Sequence, residues 1–363
     1  MTKAAELAKM GEVLTNSQIG GRRNIIINGA MQVAQRSTSE TGIFDASQYE
    51  TLDRFKIIAS TSGRATMTQT ADGPSGFANC LKLDCTTADT SIAAGEFGII
   101  RYLIEGQDLQ QLKKGTSDAE KVTISFYVKG NANATYQLEF KDSDNSRVNA
   151  QTFAVTTSWN RITLTFVADT TGAFDDDNAA SVQLNFWLHA GSNYTSGTFT
   201  SNTWAGSTDA NRVGSITSFF DSTDRTFFIT GLQLEVGEQA TPFEHRSFGE
   251  ELGLCQRYFH SHTFANGKAA SSGGTVNSST IAVIAGMKHP VLMRATPTGA
   301  INDVTHIGVR HRSVVTTCTD VSIQPEQKSF TMELTVSSGL TVGDGCFARS
   351  VNNSCTLSFD AEL

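Results

Sequence analysis

The sequence predicts a mainly β protein: an antiparallel β-sandwich followed by a second, C-terminal β-sandwich domain, with a short helix at the N-terminus and another linking the two domains. Three observations carry that reading. Charged residues are only 18% of the 363-residue chain, while Gly reaches 31 and Phe 22, a balance that suits strands and turns better than solvated helices. Apolar residues recur at every second position in Val122, Ile124, Phe126 and Val128, and again in Ile162, Leu164 and Phe166, so each run turns one face to a core. Runs of this kind are separated by clusters of Gly, Asn, Asp and Ser, which punctuate hairpins and meanders.

Residues 2–16 read as an amphipathic helix with Leu7, Met10 and Leu14 on one stripe. Alone, a helix of that length is marginal in water. It needs a partner surface, either its own domain or a larger assembly, which makes 1–22 an attachment segment and those three residues its candidate contacts. Residues 23–246 form the first β domain, with strand-like runs at 24–27, 54–59, 64–69, 81–83, 122–129, 135–140, 161–168, 182–190 and 226–234. The acidic tips at 142–145 and 175–178 favour turns. Their oxygens suit calcium, but neither tip carries the Gly and distal Glu of a twelve-residue calcium loop.

The linking helix, 247–260, is marked by Ser247 and Glu250, an S-x-x-E capping box. Phe248, Leu252, Cys255 and Phe259 follow at spacings of four, three and four. That is the seam of helices packed around an oligomer axis, or the underside of a helix lying on a sheet. Residues 261–363 form the C-terminal β domain, with runs at 281–285, 291–293, 314–317, 329–336 and 355–359 and polar loops at 269–280 and 339–346.

Several functions are disfavoured. A net charge of −8 without any basic cluster argues against nucleic acid as a partner. No stretch approaches 18 apolar residues and no signal peptide opens the chain, so membrane insertion is not expected and the chain is expected to remain in the cytoplasm until carried out. The six cysteines lack CxxC spacing and read as buried thiols. Phosphate loops, GxSxG elbows and HExxH helices are absent. No catalytic residue or cofactor is therefore assigned. His260 and His262 alternate along a strand and form a weak metal candidate. Tyr194 and Trp204 lie in the turn-rich stretch 191–209, where rings either pack on the domain or stack on a sugar.

Three blocks carry a resemblance. Asn-Ile-Ile-Ile-Asn-Gly-Ala-Met-Gln-Val-Ala-Gln-Arg at 24–36, with Tyr49 and Leu-Asp-Arg-Phe at 52–55, resembles the opening of bacteriophage tail-fibre and minor structural proteins. Phe-Ile-Thr-Gly-Leu-Gln-Leu-Glu-Val-Gly at 228–237, Ala-Thr-Pro-Phe-Glu-His-Arg at 240–246 and Glu-Leu-Gly-Leu-Cys-Gln-Arg-Tyr at 251–258 are similar to that family's closing strand and helix. Between them, 105–109 and 122–130 resemble strands of a jelly roll related to carbohydrate-binding modules. His-Pro-Val-Leu-Met-Arg-Ala-Thr-Pro at 289–297 is similar to a phrase of the attached C-terminal β domains. The resemblance implies a homotrimeric virion protein, bound to other virion proteins through its N-terminus and assembled in the host cytoplasm. It implies a tail fibre or receptor-binding appendage that takes a host surface glycan or protein. A head-decorating fibre, an architectural tail component and a polysaccharide depolymerase are the alternatives.

Overall fold

The computed structural model describes residues 3–4, 23–271 and 273–363. The candidate attachment residues Leu7, Met10 and Leu14 lie outside them. The chain forms two compact units, one ending at Glu251 and one beginning at Leu252. Among the described residues no helix is long and apolar enough to cross a membrane.

The first unit contains, in chain order, β1 Ser39–Ile43, β2 Gln48–Tyr49, β3 Phe55–Ser60, β4 Arg64–Thr70, β5 Cys80–Thr87, β6 Phe97–Glu105, β7 Val122–Gly130, β8 Ala134–Asp142, β9 Arg147–Val155, β10 Asn160–Phe166, β11 Ala180–Ala190, the short helix α1 Ser192–Thr195, β12 Ala205–Gly206 and β13 Thr226–Val236. These build a six-stranded sheet, β1-β4-β5-β13-β7-β10, and a seven-stranded sheet, β12-β9-β8-β11-β6-β3-β2. The expected mainly β, jelly-roll sandwich is what the chain forms. Alternation produces the core: Val122, Ile124 and Phe126 pair across β10 with Phe166, Leu164 and Ile162, and Ile124, Phe126 and Phe166 are fully buried. The many Phe residues fill the gap between sheets edge to face, with Phe126 5.1 Å from Phe153 and 5.2 Å from Phe186. Each such pair adds about 0.5–1.5 kcal/mol beyond the area it buries.

Residues 24–27, expected as a strand, run irregularly and are tied by side chains. Asn24 Oδ1 accepts the amides of Ile26 and Leu234, at 3.0 and 3.1 Å, and Glu244 Oε2 accepts the amides of Arg23 and Asn24, both at 2.7 Å. Asn28, at φ 60, donates its side-chain amide to the carbonyls of Val33 and Asp53. Its backbone amide reaches Glu251 Oε1 at 2.6 Å. The opening and closing blocks that carry the family resemblance are thus one hydrogen-bonded closure of the sandwich.

The linking helix, α2, spans Phe248–Gln256, and its first turn is capped as expected by Ser247 Oγ, which accepts the Glu250 amide at 3.3 Å. It ends sooner than expected. The second unit then runs through β14 Phe259–Phe264, β15 Gly274–Val276, β16 Ile281–Lys288, β17 Thr298–Ile301, β18 Ile307–His311, β19 Val314–Pro325, β20 Ser329–Val336, β21 Gly345–Ser350 and β22 Cys355–Asp360. Instead of an open second sandwich, six of these close into a barrel, β15-β16-β20-β19-β18-β21, beside a three-stranded sheet, β14-β22-β17. Bulges at Ile284/Met287 in β16 and Cys318/Asp320 in β19 bend the ribbon. The short β15 then pairs with β21 through Gly274 and Thr275, removing the free edges. All six cysteines are buried, and none is joined in a disulfide. Burial pushes Cys80, Cys85 and Cys355 up to about 11 and Cys318 up to about 12, so these thiols are inert packing groups.

Candidate functional site

On the seven-stranded sheet, cross-strand neighbours point to the same side. Phe55, Tyr102, Phe186 and Phe140 point inward to the core. The residues between them form rows on the outer face. One row runs Tyr49↔Lys56, Lys56↔Arg101, Arg101↔Asn185, Asn185↔Glu139 and Glu139↔Ala150. The next runs Leu103↔Gln183, Gln183↔Lys141 and Lys141↔Val148. These two rows therefore combine amides, cations and the carboxylate of Glu139.

That carboxylate is fully committed. Glu139 is completely buried and accepts both Nε and Nη2 of Arg212 at 2.8 Å, Asn185 Nδ2 at 2.7 Å and Trp187 Nε1 at 3.3 Å. Burial raises its proton affinity, but the Arg212 fork and the two neutral donors outweigh it and hold the carboxyl below its ordinary range. Arg212 also lies 4.9 Å from the centre of the Trp187 ring. Its carbonyl and the Gly214 amide are clamped by Gln137, at 2.7 and 2.8 Å. The segment 191–217 is thereby fastened over one half of the face, where Trp187, Ile99 and Val213 form a small separate core.

The other half carries two further cations, Arg101 and Lys141. Arg101 donates Nε to Asn185 Oδ1 at 2.7 Å. Burial draws its guanidinium down to about 10, partly offset by Glu139 and reinforced by Arg212. Lys141, half-buried, is lowered by burial and then by Arg212, with Glu139 opposing. Among the described residues, neither Arg101 nor Lys141 makes an ion pair. Beyond them, Lys56 and Arg36 lie 5.2 and 5.0 Å from the ring centre of Tyr49. A half-desolvated cationic row with amides at hand is suited to an anionic ligand, because a guanidinium takes a carboxylate or sulfate through paired hydrogen bonds.

The residues singled out by sequence sit elsewhere. Tyr194, on α1, packs 5.6 Å from Phe97 and 5.3 Å from Trp187 in the small outer core. Trp204 belongs to the main core, 5.5 Å from Phe140, and its Nε1 is spent on the Val167 carbonyl at 2.7 Å. The two rings serve different cores and do not form one sugar platform. Of the helix seam, Phe248 is 57% exposed and Cys255 fully buried, Leu252 is half-buried, and Phe259 has left the helix to pair with Asp360 in β14. The heptad pattern is therefore interrupted after Cys255.

His260 meets His289 instead of His262, Nε2 to Nδ1 at 2.8 Å, and stacks on Phe359. Burial, then His289 and His262, push His260 down to about 4. His262 instead tilts against Phe264 at 4.3 Å. At the acidic tip 142–145, whose oxygens suit calcium, the Lys114 ammonium is seated. Its Nζ lies 2.6 Å from Asp142, 3.2 Å from Asp169 and 2.7 Å from the carbonyls of both Thr171 and Gly172.

Arg101, Lys141, Glu139 and Arg212 were not singled out by sequence. A signal was present for Glu139 and Lys141: Tyr-Gln-Leu-Glu-Phe-Lys at 136–141, with Gln-Leu-Asn at 183–185 on the neighbouring strand, alternates polar and apolar residues, whereas Arg101 stands alone in the apolar run 99–104. Arg212, in a loop, had none.

No protein-family model and no curated protein matches the sequence. Among solved structures, a CBM4 structure is similar over 58% of this chain and 97% of its own, at 14% identity and a TM-score of 0.31. The enzymatically active domain of tailspike protein 4 from bacteriophage CBA120 is similar over 59% of this chain but 21% of its own, at 12% identity and 0.30. A family 11 carbohydrate-binding module from a cellulosomal cellulase of Clostridium thermocellum covers 57% of this chain and 98% of its own, at 11% identity and 0.28. Likenesses at that level say nothing about ligand, which rests on the side chains above.

Proposed function

We propose that this chain is a structural protein of a bacteriophage particle, a homotrimeric tail fibre or receptor-binding appendage, and that the outer face of its seven-stranded sheet takes acidic sugars of the host surface. The phage assignment is supported by the sequence blocks at 24–36, 52–55 and 228–258, whose residues interlock to close the sandwich. The observation that carries the binding reading is the row in which Arg212 satisfies Glu139 while Arg101 and Lys141 keep their charge without a carboxylate partner. Function is by grip: three copies on one particle convert weak single sites into strong attachment through effective concentration. No covalent step is required of any residue.

Immunogold labelling of intact particles with antibody to the purified protein tests the assignment, with light scattering for the oligomer. Gold at the tail tip or its appendages and a trimeric mass are expected. Labelling confined to the head, or a monomer at micromolar concentration, would overturn the reading.

A further inference from the structure

In the loop where β5 leads into β6, two carboxylates meet a histidine from the distant strand β11. An imidazole nitrogen of His189 and one carboxylate oxygen from each of Asp89 and Glu96 all lie within 4.8 Å of one another. His189 is fully buried and Asp89 is 5% exposed. His189 is delivered by a bulge in β11 that sets it opposite Gly98, which has no side chain to crowd the ring. Each ligand is held from behind. Asp89 Oδ2 accepts Thr61 Oγ1 at 2.7 Å and the Ser62 amide at 3.2 Å, and Glu96 Oε2 accepts the Ala93 amide at 2.5 Å. His189 Nδ1 lies 2.8 Å from Ser218 Oγ, whose oxygen also accepts the Phe220 amide at 3.1 Å.

Two features point to a missing cation. His189 Nε2 is buried and has no hydrogen-bond partner. Among the described residues, no Lys or Arg forms an ion pair with Asp89 or Glu96. Two clustered carboxylates and an idle buried imidazole nitrogen are a costly arrangement unless a positive ion joins them.

We infer that Asp89, Glu96 and His189 bind one divalent transition-metal ion, with zinc the best fit. The mixed nitrogen and oxygen set argues against calcium, which takes six to eight oxygens. Zinc accepts three protein ligands with water as the fourth. Metal–ligand bonds of about 2.0–2.2 Å place tetrahedral donors about 3.4 Å apart, a contraction that small side-chain rotations supply. Ser218 takes the role of the hydrogen-bonding group that orients a metal-bound imidazole through its other nitrogen. The ion ties the residue 88–96 loop to β11 and to the 218–221 turn, and so fastens one end of the sandwich. This inference is independent of the sugar-binding reading, because none of its residues lies in the Arg101 row.

The test uses untagged full-length protein stripped with EDTA and titrated with zinc chloride by calorimetry, with melting followed in parallel. One zinc per chain and a raised melting temperature are expected. The half-buried Glu96 can be changed with little risk to folding, and Glu96→Gln is expected to weaken zinc binding tenfold or more while the stripped protein melts as before. His189→Gln is expected to abolish binding. His260→Gln, which removes the other buried histidine pair, is expected to leave the stoichiometry at one. Absence of saturable zinc binding, or binding that survives Glu96→Gln and His189→Gln unchanged, overturns the site.

Discussion

Two arginines on the same sheet face have opposite circumstances. Arg212 lies over the covered half, gripping Glu139 through two hydrogen bonds; burial works against its charge, but Glu139 and Asp209 more than restore it. Arg101 lies on the open half, two residues away along one row, held by an amide alone and drawn down by burial to about 10. The difference teaches where structure ends and function begins. Glu139 is spent on closing the 191–217 segment, which leaves Arg101 and Lys141 without an ion pair among the described residues, the feature on which the proposed sugar site rests.

The largest expected effect breaks the covered half. Arg212→Met strands a buried carboxylate and is expected to cost about 3–5 kcal/mol in urea unfolding. Adding Glu139→Leu should recover much of that loss, since removing both charges is far cheaper than removing one. No recovery would mean that Arg212 acts mainly through its contact with Trp187.

The next effect is set by pH. Because Glu139 is held below its unfolded value, its contribution is present above roughly pH 4.3 and is lost as pH falls through the folded value. His260 acts in the same direction over a higher window. Its folded value, about 4, lies below the unfolded value near 6.5, so stability is full above about pH 6.5 and declines as pH falls towards 4. The loss is about 2 kcal/mol by pH 5 and on the order of 3 kcal/mol over the whole window. Hydrogen exchange in β14 and β22, measured at pH 7 and pH 5, should show faster opening at the lower pH, and His260→Gln should flatten the dependence.

Smaller still is Tyr194→Ala, expected to cost about 1–2 kcal/mol by uncovering Trp187 and to leave sugar binding intact. A loss of binding with unchanged stability would restore Tyr194 as a ligand contact. Lys141→Met is expected to leave stability unchanged or raise it by less than about 1 kcal/mol, because a half-buried cation without a carboxylate partner is replaced by an apolar chain of similar length. A clear loss of stability would show that Lys141 serves the fold.

Much of the architecture was legible because it is periodic. Alternation from Val122 to Val128 and from Ile162 to Phe166 located β7 and β10, the last two strands of the six-stranded sheet, and their buried faces, and Ser247 with Glu250 located the start of α2. What remained hidden depends on long-range register. Barrel closure turns on Gly274 and Thr275 reaching β21, some 70 residues on, and two residues carry no pattern. Phe259 sat on the helical stripe by spacing, yet its pairing with Asp360 ends the helix first. For Tyr194 and Trp204 the turn-rich segment left packing and sugar stacking both open, and the structure packs Tyr194 on the small outer core and Trp204 on the main one. His260 and His262 were paired by adjacency, while His260 finds His289, 29 residues away, and His189 finds carboxylates that precede it by more than 90 residues.

The central claim is that the open half of this sheet face holds an acidic sugar through Arg101 and Lys141. Calorimetric titration of the full chain with a uronic-acid oligosaccharide and with its uncharged counterpart tests it most directly, with Arg101→Ala measured alongside. The account predicts saturable, salt-weakened binding of the acidic sugar only, reduced about tenfold or more by Arg101→Ala, as expected for a lost charged hydrogen bond of about 1.5–3 kcal/mol. Equal binding of the neutral sugar, or acidic binding untouched by Arg101→Ala, would contradict it.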